Sequence, residues 1–275
     1  MYFAPRLFRT MPSQAWRMLS MEKETQMKIT GFPDIPDKIV IITGAAQGIG
    51  NAVALAFILA GAKVLAADSN ESISAFDQIA AGHSRGFRAD VSKAADVSAM
   101  VQQCLHTFGV PDVLINVAAI STPVLFPEMD LDGWQKVLDV NLTSVFLCTQ
   151  AVLPHMAGQH RGSIINFSSM IAQTGGKSSS HYSAAKAGVE GFSRTLALEL
   201  GPSGIRVNCI APGMIDTNML ALMPAEQRRK VIDKVPLGRV GRPEDIVGVS
   251  FLLASDAGSY ITGQTIHING GLYLT

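Results

Sequence analysis

From Lys38 onward the chain alternates short aliphatic runs with longer amphipathic stretches. The runs Lys38–Thr43, Lys63–Asp68, Gly86–Ala89, Val113–Val117, Ser163–Ser168, Arg206–Ala211 and Thr265–Ile268 predict strands. Most are continuous in Val, Ile and Leu instead of alternating with polar residues, the pattern of strands covered on both faces. Between them Gly48–Ala60, Asn70–Ala81, Lys93–Phe108, Leu131–Met156, His181–Leu200 and Pro243–Ala254 predict helices. Serial alternation of this kind implies right-handed crossovers. The expected fold is α/β, one domain built on a doubly wound parallel sheet of about seven strands with helices on both faces.

Composition narrows the class. Hydrophobic residues make up 48% of the 275 and charged residues 16%, which excludes disorder. Lys and Arg number 22, as do Asp and Glu, so no basic surplus points to nucleic acid. Cys104, Cys148 and Cys209 are too scattered for a disulfide framework or a zinc site. Reduced thiols, a cytoplasmic location and no metal are expected. The stretch from Ile39 to Ala62 carries no charge and is long enough to cross a bilayer. Its glycines and Thr43, Gln47 and Asn51 fit a strand, a turn and a helix better, so no membrane partner is expected. The first 21 residues hold Arg6, Arg9 and Arg17 and no acid. That composition fits an organelle-targeting leader, but an upstream start or a disordered tail is the reading preferred here. Residues 1–35 are therefore expected as an extension and 36–275 as the folded domain.

The first strand runs directly into Thr43-Gly44-Ala45-Ala46-Gln47-Gly48-Ile49-Gly50. Glycines here permit a tight turn and let backbone N–H groups at a helix N-terminus approach a pyrophosphate. Gly44, Gln47, Gly48, Ile49 and Gly50 are candidate dinucleotide contacts. Asp68 ends the second strand, where an acid can bind the ribose hydroxyls; a helix N-cap is its other reading. A 2′-phosphate would face this carboxylate at a cost of ~4 kcal/mol per unit pair at about 4 Å and an effective dielectric near 20. Ser69 and Asn70 follow and position 47 is Gln, so nothing nearby in sequence compensates. NAD(H) is expected over NADP(H).

Tyr182 and Lys186 lie one helical turn apart in His181-Tyr182-Ser183-Ala184-Ala185-Lys186, on one face. Ser169 ends the preceding strand. A nearby ammonium stabilises phenolate, and lowering a phenol by about three pKa units represents roughly 4 kcal/mol. Such a tyrosine can remove an alcohol proton as hydride leaves, or return one in reverse, while the Ser169 hydroxyl holds the substrate oxygen.

With these residues together, the chain from about Lys38 to its C-terminus resembles the classical short-chain dehydrogenase/reductase family, which has a Rossmann-type fold. The matching residues are Thr43-Gly44, Gly48-Ile49-Gly50, Asp90-Val91, Asn116, Val140-Asn141-Leu142, Ser169, Tyr182, Lys186 and Pro212-Gly213. The resemblance implies a tetrad of Asn141, Ser169, Tyr182 and Lys186. In that family the Asn backbone holds a water linking Lys to a proton relay, and Lys also meets the nicotinamide ribose. It further implies adenine contacts at Asp90 and Val91, cofactor contacts at Asn116 and Ala118, and a Pro212-Gly213 turn that meets the carboxamide through Ile215 and Thr217. Asn141 has a second reading, satisfying a buried backbone group, and Asp90 one as a helix cap. Ser168 competes with Ser169, but only Ser169 has the family's separation from Tyr182. The usual Asn-Asn-Ala-Gly is here Asn116-Val117-Ala118-Ala119, which questions local geometry more than activity.

The expected substrate is a small-molecule secondary alcohol or ketone handled with NAD(H). The alternative is an NADPH-dependent 3-oxoacyl-(acyl carrier protein) reductase, because the tail Tyr260–Gly271 looks like those enzymes. Asn218–Val235 corresponds to the family's substrate lid, with Met219, Leu220, Leu222 and Met223 as pocket lining or as an ordinary packed helix. Gln173 is a candidate substrate contact beside Ser169 and Tyr182, or an exposed loop amide. His181 is expected to be exposed. The family commonly forms tetramers, so a homotetramer is expected, with Leu272-Tyr273-Leu274 compatible with a contact between subunits.

Overall fold

A computed structural model of the chain describes residues 32–221, 223 and 225–274. Seven parallel strands form one sheet in the order β3-β2-β1-β4-β5-β6-β7. They are β1 (Ile39–Thr43), β2 (Lys63–Asp68), β3 (Ser84–Arg88), β4 (Val113–Asn116), β5 (Gly162–Phe167), β6 (Ile205–Pro212) and β7 (Thr265–Ile268). The chain steps outward from β1 to β3 and returns to lay β4 on the other side of β1. Ligands of doubly wound sheets bind at such a reversal, at the carboxyl ends of the strands.

Both faces are apolar, as the continuous Val/Ile/Leu runs required. Val40, Ile42, Val113, Ile115, Ile165 and Phe167 point into one core, which α1 (Gly48–Leu59) and Val247–Ala254 cover. Ile41, Leu114 and Ile164 point to the other, where α2 (Ala94–Thr107) and residues of the long helices near Val152 and Leu200 pack. The uncharged run from Ile39 to Ala62 is β1, the glycine turn and α1, with the strand and the body of the helix buried and the turn partly open.

Three expected helices differ in detail. Residues Glu71–Gln78 form a 3-10 helix. Asn70 Oδ1 accepts from Ser72 N, Ser74 Oγ donates to the Glu71 carbonyl, and Asp77 Oδ1 accepts from Gly86 N. Short polar side chains that bond local backbone compete with α-helix in this way. Residues 131–158 are α3 (Leu131–Leu138), a π turn (Asp139–Thr143) and α4 (Ser144–Gly158). This stretch is the one helix among the described residues long and apolar enough to cross a membrane, and 39% of its apolar window is buried inside the fold. At the C-terminal end, Pro243–Ile246 is a 3-10 turn leading into the last helix, Val247–Ala254. The remaining helices are α5 (Ile171–Thr174), α6 (Ser180–Leu200), α7 (Asn218–Ala221) and α8 (Ala225–Ile232), so Val247–Ala254 is α9.

The folded body begins before Pro36, which corrects the expected boundary. Ile35 is fully buried, Phe32 packs 5.8 Å from Phe251, and Asp34 accepts from Asp256 N and pairs with Lys38. The Arg-containing leader and Leu222 lie outside the described residues.

Phe251 is the keystone of the α1/α9 core, fully buried, with its ring edge-on to Phe57 at 4.7 Å. Phe251→Ala is expected to cost about 3–5 kcal/mol, read as a lower urea midpoint. A loss below about 1 kcal/mol would contradict this packing account.

Candidate functional site

The glycine turn opens the cleft. Gly44 has φ +70, and a Cβ there would stand 2.7 Å from Ala118 Cα, so only glycine lets the turn lie against the end of β4. At Gly50 a Cβ would stand 2.1 Å from the Gly44 carbonyl oxygen, so α1 starts directly on the turn. Gln47 occupies the N-cap but its side chain caps nothing, and the first turn of α1 holds no acid. Gln47 Oε1 instead accepts from Asn218 Nδ2 at 2.7 Å, joining the turn to α7. The position of a Gly48 Cβ would lie 3.3 Å from Thr217 Cγ2, so Gly48 and Thr217 face each other. Uncapped amides at a helix start, beside a cradle that a Cβ would fill, fit a pyrophosphate.

Asp68 stands half-buried at the edge of this cradle. Its Oδ2 accepts from Ala46 N at 3.0 Å and its Oδ1 from Asn70 N at 2.9 Å. The residue capping the following 3-10 helix is Asn70, not Asp68. Arg88 pairs in register with Asp68 across β2 and β3, and its Nε donates to the Ser69 carbonyl at 3.1 Å. Register thus puts a cationic residue on the neighbouring strand that position along the chain does not reveal.

Asp90 follows β3. Its Oδ1 accepts from the Ser92 hydroxyl at 2.6 Å and from Ser92 N at 3.1 Å, and Lys93 lies 3.5 Å from Oδ2. The Ser92 hydroxyl chiefly holds its carboxyl below the usual range. Val91 is buried in the α2 core. Asp90 also lines a polar cavity of about 390 Å³ with Ser92, Asp132, Gln135, Lys136, Asp139 and Val140.

Beneath the cleft a polar row crosses the sheet. Thr43, Asn116, Asn166 and Cys209 are successive register partners on β1, β4, β5 and β6. Thr43 Oγ1 accepts from Val117 N and Ala118 N at 3.2 and 3.3 Å. Asn116 Nδ2 donates to Asn166 Oδ1 at 2.8 Å, and Asn166 Nδ2 to Ser193 Oγ at 2.9 Å. Burial pushes the Cys209 thiol up to about 11, and those of Cys104 and Cys148 to about 12.

Ser169, Tyr182 and Lys186 come together at the mouth. Backbone bonds from Ser168 N to Ile210 O and from Met170 N to Pro212 O hold the Ser169 segment on β6. Tyr182 is half-buried, with the Ser169 hydroxyl beside its phenol. Lys186 is 2% exposed; its Nζ donates to the Phe167 carbonyl at 2.7 Å and lies 5.7 Å from the Tyr182 ring centroid. Desolvation moves both groups toward their neutral forms. It pushes the phenol up to about 12 against the opposing Ser169 bond, and Lys186 down to about 8. Burial is the larger influence on the phenol, and Lys186 directs its Nζ to a carbonyl.

Asn141 is fully buried in the π turn, and its Nδ2 donates to the Val137 and Ile120 carbonyls at 2.8 and 3.0 Å. Its side chain thus fills the backbone-satisfying role. Ser168 points away from the mouth, donating to Glu190 Oε1 at 2.7 Å. Gln173 commits its amide nitrogen to the other oxygen of the same carboxylate.

His181, expected to be exposed, is 1% exposed. Its Nδ1 accepts from Tyr182 N at 2.8 Å and its Nε2 lies 3.1 Å from the Thr122 carbonyl oxygen. The ring folds back over the start of α6, so facing away from Tyr182 did not mean facing solvent.

Past β6, Gly213 N bonds the Ile268 carbonyl, and Ile215 is buried and bridges to Gly241. That bridge joins residues on either side of the segment expected as a lid. Arg239 grips Asp245 there at 2.6 and 3.1 Å. Leu220 is buried, whereas Met219 is 40% exposed, so the lid residues divide between packing and the surface.

A glycine-turn dinucleotide cradle and a Ser–Tyr–Lys group at the ends of parallel strands define an oxidoreductase site. The chain belongs to the short-chain dehydrogenase/reductase family. Residues 44–273 match a family model described as Enoyl-(Acyl carrier protein) reductase. The chain is similar to the 3-oxoacyl-[acyl-carrier-protein] reductase FabG of Thermotoga maritima, 40% identical over 241 residues, spanning 86% of this chain and 98% of the relative. The 3-oxoacyl-[acyl-carrier-protein] reductase of a Synechocystis species is 41% identical over 244 residues, 86% of this chain and 97% of the relative. FabG of Escherichia coli is 37% identical over 238 residues, 86% and 98% respectively.

Lys186 titrates near 8 in the fold and at its ordinary 10.5 when unfolded. Between those values the unfolded chain holds the extra proton, so raising the pH favours the native state. The unfolding free energy of the wild type is expected to gain roughly 3 kcal/mol on that of Lys186→Met between pH 8 and 10.5 in urea titrations. A constant or falling difference contradicts the burial assignment.

Proposed function

We propose that the protein reduces the ketone of a 3-oxoacyl thioester with NADH, using Tyr182 as proton donor. The observation that carries the chemistry is the Tyr182 phenol, beside Ser169 and one helical turn from a buried Lys186. The substrate class is supported by the names of relatives that this chain matches over nearly their whole length. It takes the place of the broader alcohol/ketone expectation.

A bound nicotinamide supplies the hydride. The Ser169 hydroxyl donates to the ketone oxygen and orients it. As the carbonyl carbon is reduced, the oxygen takes the Tyr182 proton and becomes the hydroxyl of the product. The phenolate left behind lies near the Lys186 ammonium, which is mostly charged at neutral pH because its pKa is about 8. A phenol held near 12 is fully protonated before reaction, as reduction requires. Asn141 is proposed to act through its backbone, its amide nitrogen being committed to two carbonyls while its Oδ1 is buried without a partner.

The turn residues Gly44, Gln47, Gly48, Ile49 and Gly50 are proposed to hold the pyrophosphate, and Asp68 the adenosine ribose. Asp90 and Val91 are assigned to the adenine, with Asn116 and Ala118 as further cofactor contacts. Pro212, Gly213, Ile215 and Thr217 are assigned to the carboxamide side. NADH is favoured by the Asp68 carboxylate, while Arg88 beside it limits how strongly NADPH is rejected. A homotetramer through α4 and α6 belongs to the same reading, supported by Phe146 and Leu198, which are 44% and 80% exposed there.

With acetoacetyl-CoA as the probe, Tyr182→Phe is expected to lower kcat by about 10²-fold or more and leave NADH affinity nearly unchanged. Near-normal turnover by this variant refutes the assignment. If simple ketones are reduced and acetoacetyl-CoA is not, the thioester assignment falls and the broader reading stands. In fluorescence titrations NADH is expected to bind more tightly than NADPH. Asp68→Ala should narrow that gap and Arg88→Ala widen it, each by about fivefold, the upper range for one screened charge pair. Unchanged ratios in both variants place cofactor choice elsewhere.

A further inference from the structure

Glu190 is a charged side chain that the proposed reaction does not use, and it is 1% exposed. It lies one turn beyond Lys186 on α6, on a face that otherwise buries Val189, Ser193 and Ala197. Burying a carboxylate is costly, and an apolar residue of similar size commonly serves stability as well or better. Its bonds show where the charge is spent. Oε1 accepts from Ser168 Oγ at 2.7 Å, Oε2 accepts from Gln173 Nε2, and Arg194 Nη1 stands 3.9 Å from Oε2.

Ser168 and Gln173 flank Ser169 on either side. The Ser168 side is also held by the sheet, through Ser168 N to Ile210 O and Met170 N to Pro212 O. Beyond Met170 the chain leaves β6. Helix α5 is a single turn of four residues, too short to be stable by itself, and Gly175 (φ +67) and Gly176 follow it. Gln173 is the point at which this turn is tied to α6 by a charged hydrogen bond.

We propose that Glu190 is a positioning residue: its carboxylate grips both flanks of the Ser169 segment and so fixes the Ser169 hydroxyl against Tyr182, on the same helix as the grip. The inference rests on the reading of Ser169 and Tyr182 as the reacting pair. One rigid element then carries Tyr182, Lys186 and the clamp that sets the distance to Ser169.

The test exchanges donor and acceptor. Gln173→Glu alone sets two carboxylates against each other at an exposed position, where folding tolerates the change. Adding Glu190→Gln restores the pair with its polarity reversed, since an amide at 190 still accepts from Ser168 and now donates to 173. The assay uses whichever ketone the wild type reduces fastest. Gln173→Glu is expected to lower kcat about tenfold, with KM within about threefold and NADH affinity within about twofold. The double variant should recover to within about threefold of wild-type kcat. Hydrogen exchange of residues 169–175, measured without substrate or cofactor, should quicken in the single variant and return to wild-type rates in the double.

Wild-type kcat and exchange in Gln173→Glu would overturn the clamp, as would a double variant no better than the single. Tyr182→Phe, run in parallel, separates this from the underlying assignment. If that variant keeps its turnover, the reacting pair is wrong; if it is dead while the exchange pair behaves as wild type, only the clamp is wrong.

Discussion

Burying the ammonium of Lys186 costs free energy that nearby groups must return, and the way they do so organises the site. Its Nζ donates to the Phe167 carbonyl, the last residue of β5, at 2.7 Å. This bond fixes the rotation of α6 relative to the end of the strand. Once that rotation is set, Tyr182 one turn earlier faces the cleft, and Glu190 one turn later faces the segment following β5. Three side chains on one helical stripe thus inherit their placement from one charge-assisted contact.

The sheet supplies the floor. Thr43, Asn116, Asn166 and Cys209 form a register row across four strands, linked through Ser193 to α6. Below the row the strands are aliphatic; above it the cleft begins. Buried polar groups are tolerated when they are hydrogen-bonded, and here the bonds run between strands and helix, so they resist sliding between the two. The same floor bears on Val117, which stands in place of the usual Asn. Its amide and that of Ala118 are anchored by Thr43, and Ala118 abuts a turn residue that has no Cβ.

Much of this was legible in the chain. Most of the strands follow from aliphatic runs, because a sheet covered on both faces needs apolar side chains in both directions; the edge strand β3, Ser84-Arg85-Gly86-Phe87-Arg88, holds no such run. The glycine turn and the Tyr–Lys spacing are local patterns, and local patterns survive folding. What stayed hidden depends on distant segments meeting. Arg88 became a neighbour of Asp68 only through β2–β3 register. His181 is buried because its ring turns back onto the Tyr182 amide and reaches Thr122, which no helical wheel reports. Phe32 and Ile35 lie N-terminal to the first strand and join the core only once α9 is in place. Glu190 carried a weak signal, an acid one turn beyond Lys186, but its partners sit across a strand end.

The acid–base properties of the mouth bear on direction. One physical cause, desolvation, moves Tyr182 upward and Lys186 downward, and both shifts favour uncharged side chains. Their consequences differ at neutral pH. A phenol near 12 holds its proton, while an amine near 8 keeps most of its charge. The resting pair is therefore a loaded proton donor next to a cation ready to stabilise the phenolate once the proton has gone. Running the reaction toward ketone starts from the opposite requirement, a deprotonated phenol in a site whose burial resists it. The ligand-free site thus holds the proton that the proposed reduction consumes.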